Sequence, residues 1–221
     1  MLTMLPSLSN RLKHATGDLH KAAERSPVMA ALLRGQLSAT AYGQLLLNLA
    51  GIYGTLEAAL RRRENDPLLT GLGLHDMARS AALALDLRSL GLPWPTTNEG
   101  LMPATREYQA RLQRLDATAG HLLAAHAYVR YLGDLAGGQM LKRIVARSLG
   151  AGTAFYEFCE PPTPAQRALA FRSALDAAAV NETDALAMVS EAQWSFAQHQ
   201  QLFEQLAADP GSAFTMTGPA R

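Results

Sequence analysis

The chain has 221 residues, 48% hydrophobic and 18% charged, with a formal net charge of +1. That balance provides no broad basic face for nucleic acid. With Cys159 as the only cysteine there is no internal disulfide and no multi-cysteine metal cluster, which fits a reducing, cytoplasmic setting. No uncharged apolar run reaches the roughly 18 residues of a membrane span, and no apolar leader precedes Arg11 and Lys13. The expectation is one domain over residues 1–208, followed by a flexible tail over 209–221, where prolines and glycines cluster.

Helical periodicity dominates from the start, with no convincing alternation of a strand. Apolar or small residues at 8, 12, 15, 19, 22 and 23 predict a first helix over 8–25, with Pro27 beyond its end. Tyr42, Leu45, Leu46, Leu49, Ile52, Tyr53, Leu56 and Leu60 form the broad apolar face of a second, 39–64, which stops before Asn65-Asp66-Pro67. Further helices are expected over 77–90, ending at Gly91-Leu92-Pro93, over 103–115, and over 119–149, closed by Gly150-Ala151-Gly152. Thr163-Pro164-Ala165-Gln166 combines an N-cap, a proline at the first helical position and the Gln of a capping box. Asn181 begins a last helix that runs to about Ala207. The fold class is all-α, a compact bundle of roughly seven to nine helices.

One stretch breaks the helical rules. His126-Ala-Tyr-Val-Arg-Tyr-Leu-Gly-Asp-Leu-Ala-Gly-Gly-Gln-Met-Leu-Lys-Arg143 places Gly133, Gly137 and Gly138 inside a long helix. Each interior glycine costs roughly 1 kcal/mol relative to alanine. A bend, a close approach of a neighbouring helix, or a flat ligand lying on bare backbone would each offset that cost. His20 has Glu24 one turn away, so the carboxylate can orient one ring nitrogen and leave the other for a metal. A surface histidine with an i, i+4 carboxylate has the same pattern. None of the six histidines makes an i, i+4 pair with another, and there is no Glu-x-x-His, P-loop, dinucleotide fingerprint or nucleophile elbow. Arg61-Arg62-Arg63 reads either as the solvated end of a helix or as a docking patch for a reductase.

The run Tyr-x-Arg-Tyr-Leu-Gly-Asp-Leu-x-Gly-Gly-Gln, with His20-Lys21-Ala22-Ala23-Glu24, closely resembles the heme oxygenase family. Similarity extends through Leu12–Thr16, Ile52-Tyr53, Phe171-Arg172-Ser173 and Gln201-Leu202-Phe203, and so covers most of residues 8–206. The resemblance implies a heme oxygenase-like bundle with a glycine-kinked distal helix. It also implies heme as both cofactor and substrate, cleaved with O2 and electrons from an external reductase or ferredoxin to biliverdin, CO and Fe2+, serving either iron acquisition or supply of the bilin to a downstream bilin-binding protein.

Carried over by position, His20 matches the proximal iron ligand and Glu24 the residue that orients it. Gly133 and Gly137, with Gly138, let the distal backbone pass close to the porphyrin. Asp134 matches the distal aspartate that holds an ordered water, and Arg130 and Tyr53 match the network around it. Lys13, Tyr128 and Arg172 match propionate contacts, while Val28, Met29 and Phe196 match the pocket wall. Two departures stand out. Ala136 replaces a usual serine, and Ala168 sits where some members have a lysine, leaving Arg172 more of the propionate contact. A non-catalytic heme carrier would need His20 but neither Asp134 nor the glycines. A thiamin-degrading enzyme of similar shape would need a catalytic cysteine, and Cys159 beside Glu160-Pro161-Pro162 is poorly placed for that.

Overall fold

A computed structural model describes residues 6–209, so the expected tail lies, apart from Asp209, outside the described residues. Among the described residues nine α-helices follow one another: α1 Leu8–Glu24, α2 Pro27–Leu33, α3 Ala39–Arg62, α4 Pro67–Gly71, α5 Ser80–Ser89, α6 Pro103–Thr118, α7 Leu123–Ser148, α8 Pro164–Ala177 and α9 Glu182–Ala208. Short 3₁₀ turns at Leu74–Met77, Gly120–Leu122 and Ala154–Tyr156 link them. Among the described residues there is no strand, and no helix is long and apolar enough to cross a membrane.

Two of these helices were not expected. Pro27 and Pro67 read as chain breaks, yet each occupies the first turn of a new short helix. Ser26 Oγ accepts from the Met29 amide at 3.4 Å, and Asp66 Oδ1 accepts from the Leu68 amide at 3.0 Å. A proline lacks the N–H that a first turn would leave unpaired anyway, so the same residue that ends one helix can begin another. The Thr163–Gln166 capping box forms as expected.

Helix α9 is the spine, with α1, α2, α6 and α7 packed along it. Helix α3 is flanked by α5 and α6. Leu12, Leu46, Ile52, Leu56, Leu83, Leu87 and Leu112 are fully buried between them. Burying each such side chain contributes roughly 1.5–3 kcal/mol. Glu57 of α3, also buried, accepts from the Arg79 and Ser80 amides and so caps the start of α5. In the arginine run, Arg62 and Arg63 both pair with Asp116 of α6, the first at 2.6 Å and the second at 3.1 Å. Two of the three charges are therefore engaged in joining α3 to α6, which favours the structural reading over a free docking patch.

Candidate functional site

Helices α1 and α7 each pack on α9, and a cavity of about 340 Å³ opens between them. From α1 come His20, Ala23 and Glu24, and from α2 Met29, Leu32 and Leu33. Leu45 and Leu49 of α3 and Phe196, His199 and Phe203 of α9 complete the lining, together with Phe155 and Tyr156. Arg130, Gly133, Asp134, Gly137 and Leu141 recur at helical spacing along α7, so one face of that helix forms a wall. Apolar groups dominate, and the polar ones are few and specific, as in a pocket for a largely hydrophobic ligand.

The glycines divide by role. A Cβ placed on Gly133 or Gly137 would meet nothing within 4 Å, whereas one on Gly138 would lie 3.6 Å from the Tyr156 carbonyl oxygen. The first two therefore keep space empty beside the cavity, and the third packs against the segment behind it. None of the three is pressed on a neighbouring helix in a way that forbids a side chain, so close helix packing does not explain them. Helix α7 itself is continuous through all three.

On the α1 side, His20 remains half-exposed, with its Nδ1 3.6 Å from Glu24 Oε1. That distance is too long for a hydrogen bond. The ring of Phe196 meets the imidazole edge-on at 5.9 Å and fixes its rear side.

Behind the glycine wall lies a buried polar network. Tyr53, fully buried and one layer back from the cavity, donates its hydroxyl to Asp134 Oδ2. Arg130 donates from Nε to the Tyr53 oxygen at 3.1 Å and from Nη2 toward Asp134 Oδ1 at 3.5 Å. Burial pushes the Asp134 carboxyl up to about 6, while the Arg130 charge and the Tyr53 hydroxyl pull the other way. Burial likewise drives the Tyr53 phenol well above its ordinary range, so it stays a donor. Asp134 thus titrates near neutrality at the edge of a pocket, a position suited to handling protons.

Phe155 and Tyr156 escaped the sequence reading because they lie in what looked like a plain loop. They are clamped from α5. Asp86 accepts from the Ala154 amide at 2.8 Å and the Phe155 amide at 2.7 Å. Arg79 donates to the Phe155 and Glu157 carbonyls and lies 3.9 Å from the centre of the Phe158 ring. Phe155 then packs edge-on against Tyr53 at 5.6 Å. His199, to which the sequence assigned no role, also faces the cavity and touches Arg130.

Other sequence candidates sit elsewhere. Val28 is 1% exposed and turned into the core, and its neighbour Met29 lines the cavity in its place. The roughly 100° step between consecutive helical residues carries Val28 round to the core side of α2. Lys13, Tyr128 and Arg172 lie outside the lining. Tyr128 nonetheless neighbours Thr16 and feels the Arg172 charge. Lys13, Thr16 and His20 follow at i, i+3 and i+7, which places them on one face of α1.

The site is thus an all-α bundle holding a histidine and a stretch of bare backbone on two sides of one apolar cavity. The sequence profile of heme oxygenase matches residues 6–205. A Synechocystis protein named heme oxygenase 2 is 33% identical over 91% of this chain and 84% of its own length. The heme oxygenase structure from Leptospira interrogans superposes with a TM-score of 0.84 at 34% identity, covering 90% of this chain and 98% of that one. The Synechocystis heme oxygenase-1 structure, in complex with heme, also gives 0.84, at 30% identity over 91% and 92% of the two chains. The chain belongs to the heme oxygenase family.

Proposed function

We propose that this protein binds heme in the α1–α7 cavity and cleaves it oxidatively to biliverdin, releasing CO and ferrous iron. O2 is the oxidant, and the electrons come from a separate reductase or ferredoxin. The observation that carries the reading is the pairing of His20 on one side of the cavity with the open space beside Gly133 and Gly137 on the other. The residues fit the group: a macrocycle needs a metal-ligating imidazole, apolar walls and room against the backbone, and all three are present.

Bound heme supplies the iron at which O2 is activated and the porphyrin edge that is opened. The chain supplies position and protons. His20 offers a neutral imidazole as iron ligand, with Phe196 behind it and Glu24 close enough to bias its orientation. Bare backbone at Gly133 and Gly137 leaves room for a small ligand and puts no acid side chain there. Asp134, held by Tyr53 and Arg130, would hold a water at the edge of that space, and that water would deliver the proton. Lys13, Tyr128 and Arg172 are the groups that would hold the propionates. Biliverdin is then taken up by a bilin-binding protein, and the single-cysteine composition fits a cytoplasmic site of action.

The test is direct. Hemin added to the purified protein gives a Soret band, and ascorbate in air bleaches it into the broad red absorption of a bilin, with CO released. A stable Soret band under those conditions would make the protein a carrier. Failure to take up hemin at all would remove the whole reading.

A further inference from the structure

We propose that His199 is a positioning residue, a one-tautomer imidazole anchored on the α9 backbone that sets the angle at which Arg130 meets Tyr53 and Asp134. Its bearing on heme cleavage rests on the function proposed above, whereas the positioning itself is a property of the protein without heme.

Two partners with opposite demands fix the ring. Nδ1 lies 2.8 Å from the Ser195 carbonyl oxygen, which can only accept, so Nδ1 carries the proton. Nε2 lies 2.9 Å from Arg130 Nη1, which can only donate, so Nε2 must be bare. Protonating the ring would set donor against donor and place a second positive charge beside the guanidinium. Burial and the Arg130 charge accordingly hold its pKa well below the ordinary range. Rings on both flanks limit its rotation: Tyr108 stands edge-on at 5.3 Å and Phe203 tilted at 6.3 Å.

Arg130 is thereby held at three corners. Nη1 meets His199, Nε meets Tyr53, and Nη2 points at Asp134 over the longest of the three distances, 3.5 Å. Without His199, one buried N–H would lose its acceptor and the guanidinium would be free to turn about the two remaining contacts. The charge that opposes the upward shift of Asp134 would then no longer sit at a fixed distance. The titratable and charged groups around the ring are Arg130, Asp134 and His126 on α7, Tyr53 on α3 and Tyr108 on α6.

The experiment uses the full chain without heme. Imidazole ¹⁵N shifts of the wild type should show a single neutral tautomer, protonated at Nδ1, with no titration of His199 between about pH 5 and 8. Protonation in that range, or the opposite tautomer, would overturn the proposal whatever any variant does. Carboxyl ¹³C titration of Asp134 should move up by about half a unit or more in His199→Leu. His199→Gln, whose Oε1 can accept from Arg130, should return it toward the wild-type midpoint. An unchanged Asp134 midpoint in a folded Leu variant, or a Gln variant that behaves like Leu, would refute the positioning role. Failure of hemin uptake or turnover in the wild type would instead sink the heme reading and leave these results standing.

Discussion

Filling the empty space beside α7 should make the heme-free protein more stable and worse at its task. Gly133 and Gly137 sit in the interior of a continuous helix, and a methyl at either would touch nothing within 4 Å. Changing each to alanine removes the glycine propensity penalty without introducing a clash, a gain of about 1 kcal/mol apiece. For a chain of this size each kcal/mol raises the melting temperature by roughly 2–4 °C, so the double variant should melt roughly 4–8 °C higher. Hemin uptake should move the opposite way. Gly137→Leu, with a full side chain in the cavity, should bind hemin at least about tenfold more weakly, or about 1.4 kcal/mol. Thermal melts followed by circular dichroism and hemin titrations followed at the Soret band measure the two quantities. A lower melting temperature in the alanine variants would show that the glycines serve packing. Undiminished hemin uptake in Gly137→Leu would show that the space is not the ligand's.

Three further outcomes are expected. His20→Ala should still take up hemin through the cavity walls and propionate contacts but lose the histidine-ligated spectrum, and an unaltered spectrum would place the iron ligand elsewhere. Asp134 binds its proton more tightly in the folded chain, near pH 6 against an ordinary value of 3.8. The stability it contributes is therefore full below about pH 4 and lost as pH rises through 6. Asp134→Asn should accordingly gain on the wild type by up to about 3 kcal/mol between urea titrations at pH 4 and pH 8. Asp86→Ala should leave the Ala154 and Phe155 amides without their charged acceptor, costing roughly 1.5–3 kcal/mol, and should weaken hemin binding more than mutation of an exposed α5 residue such as Leu85.

The site could be read from the sequence where its chemistry is local. Interior glycines carry a penalty that needs an explanation, and an i, i+4 histidine–carboxylate pair is visible in a single turn. All-α architecture follows in the same way from periodicity within each helix. Register and long-range contact were harder. Val28 and Met29 are both apolar neighbours, and only the packed α2 shows which one faces the cavity. That helix was itself overlooked, because Pro27 signals a break as readily as a first turn, and Ser26 as its cap decides between them. Phe155 and His199 belong to the site through partners far along the chain, Asp86 and Arg130, and no spacing rule connects them. Tyr53 emerged from resemblance, and its place behind the wall, rather than on it, is a matter of depth that a one-dimensional pattern does not contain.

The grip of α5 on residues 154–158 means that part of the cavity's shape is set by a helix that does not line it. Arg79 at the N-cap of α5 and Asp86 within it lie seven residues apart, about two turns, and hold the segment like two hands on a rail. Inserting one residue between them would swing Asp86 by about 100° and let go of one end. The size of the chamber can thus be retuned from α5 without altering His20, and the change would reach Asp134 only through the Phe155–Tyr53 contact.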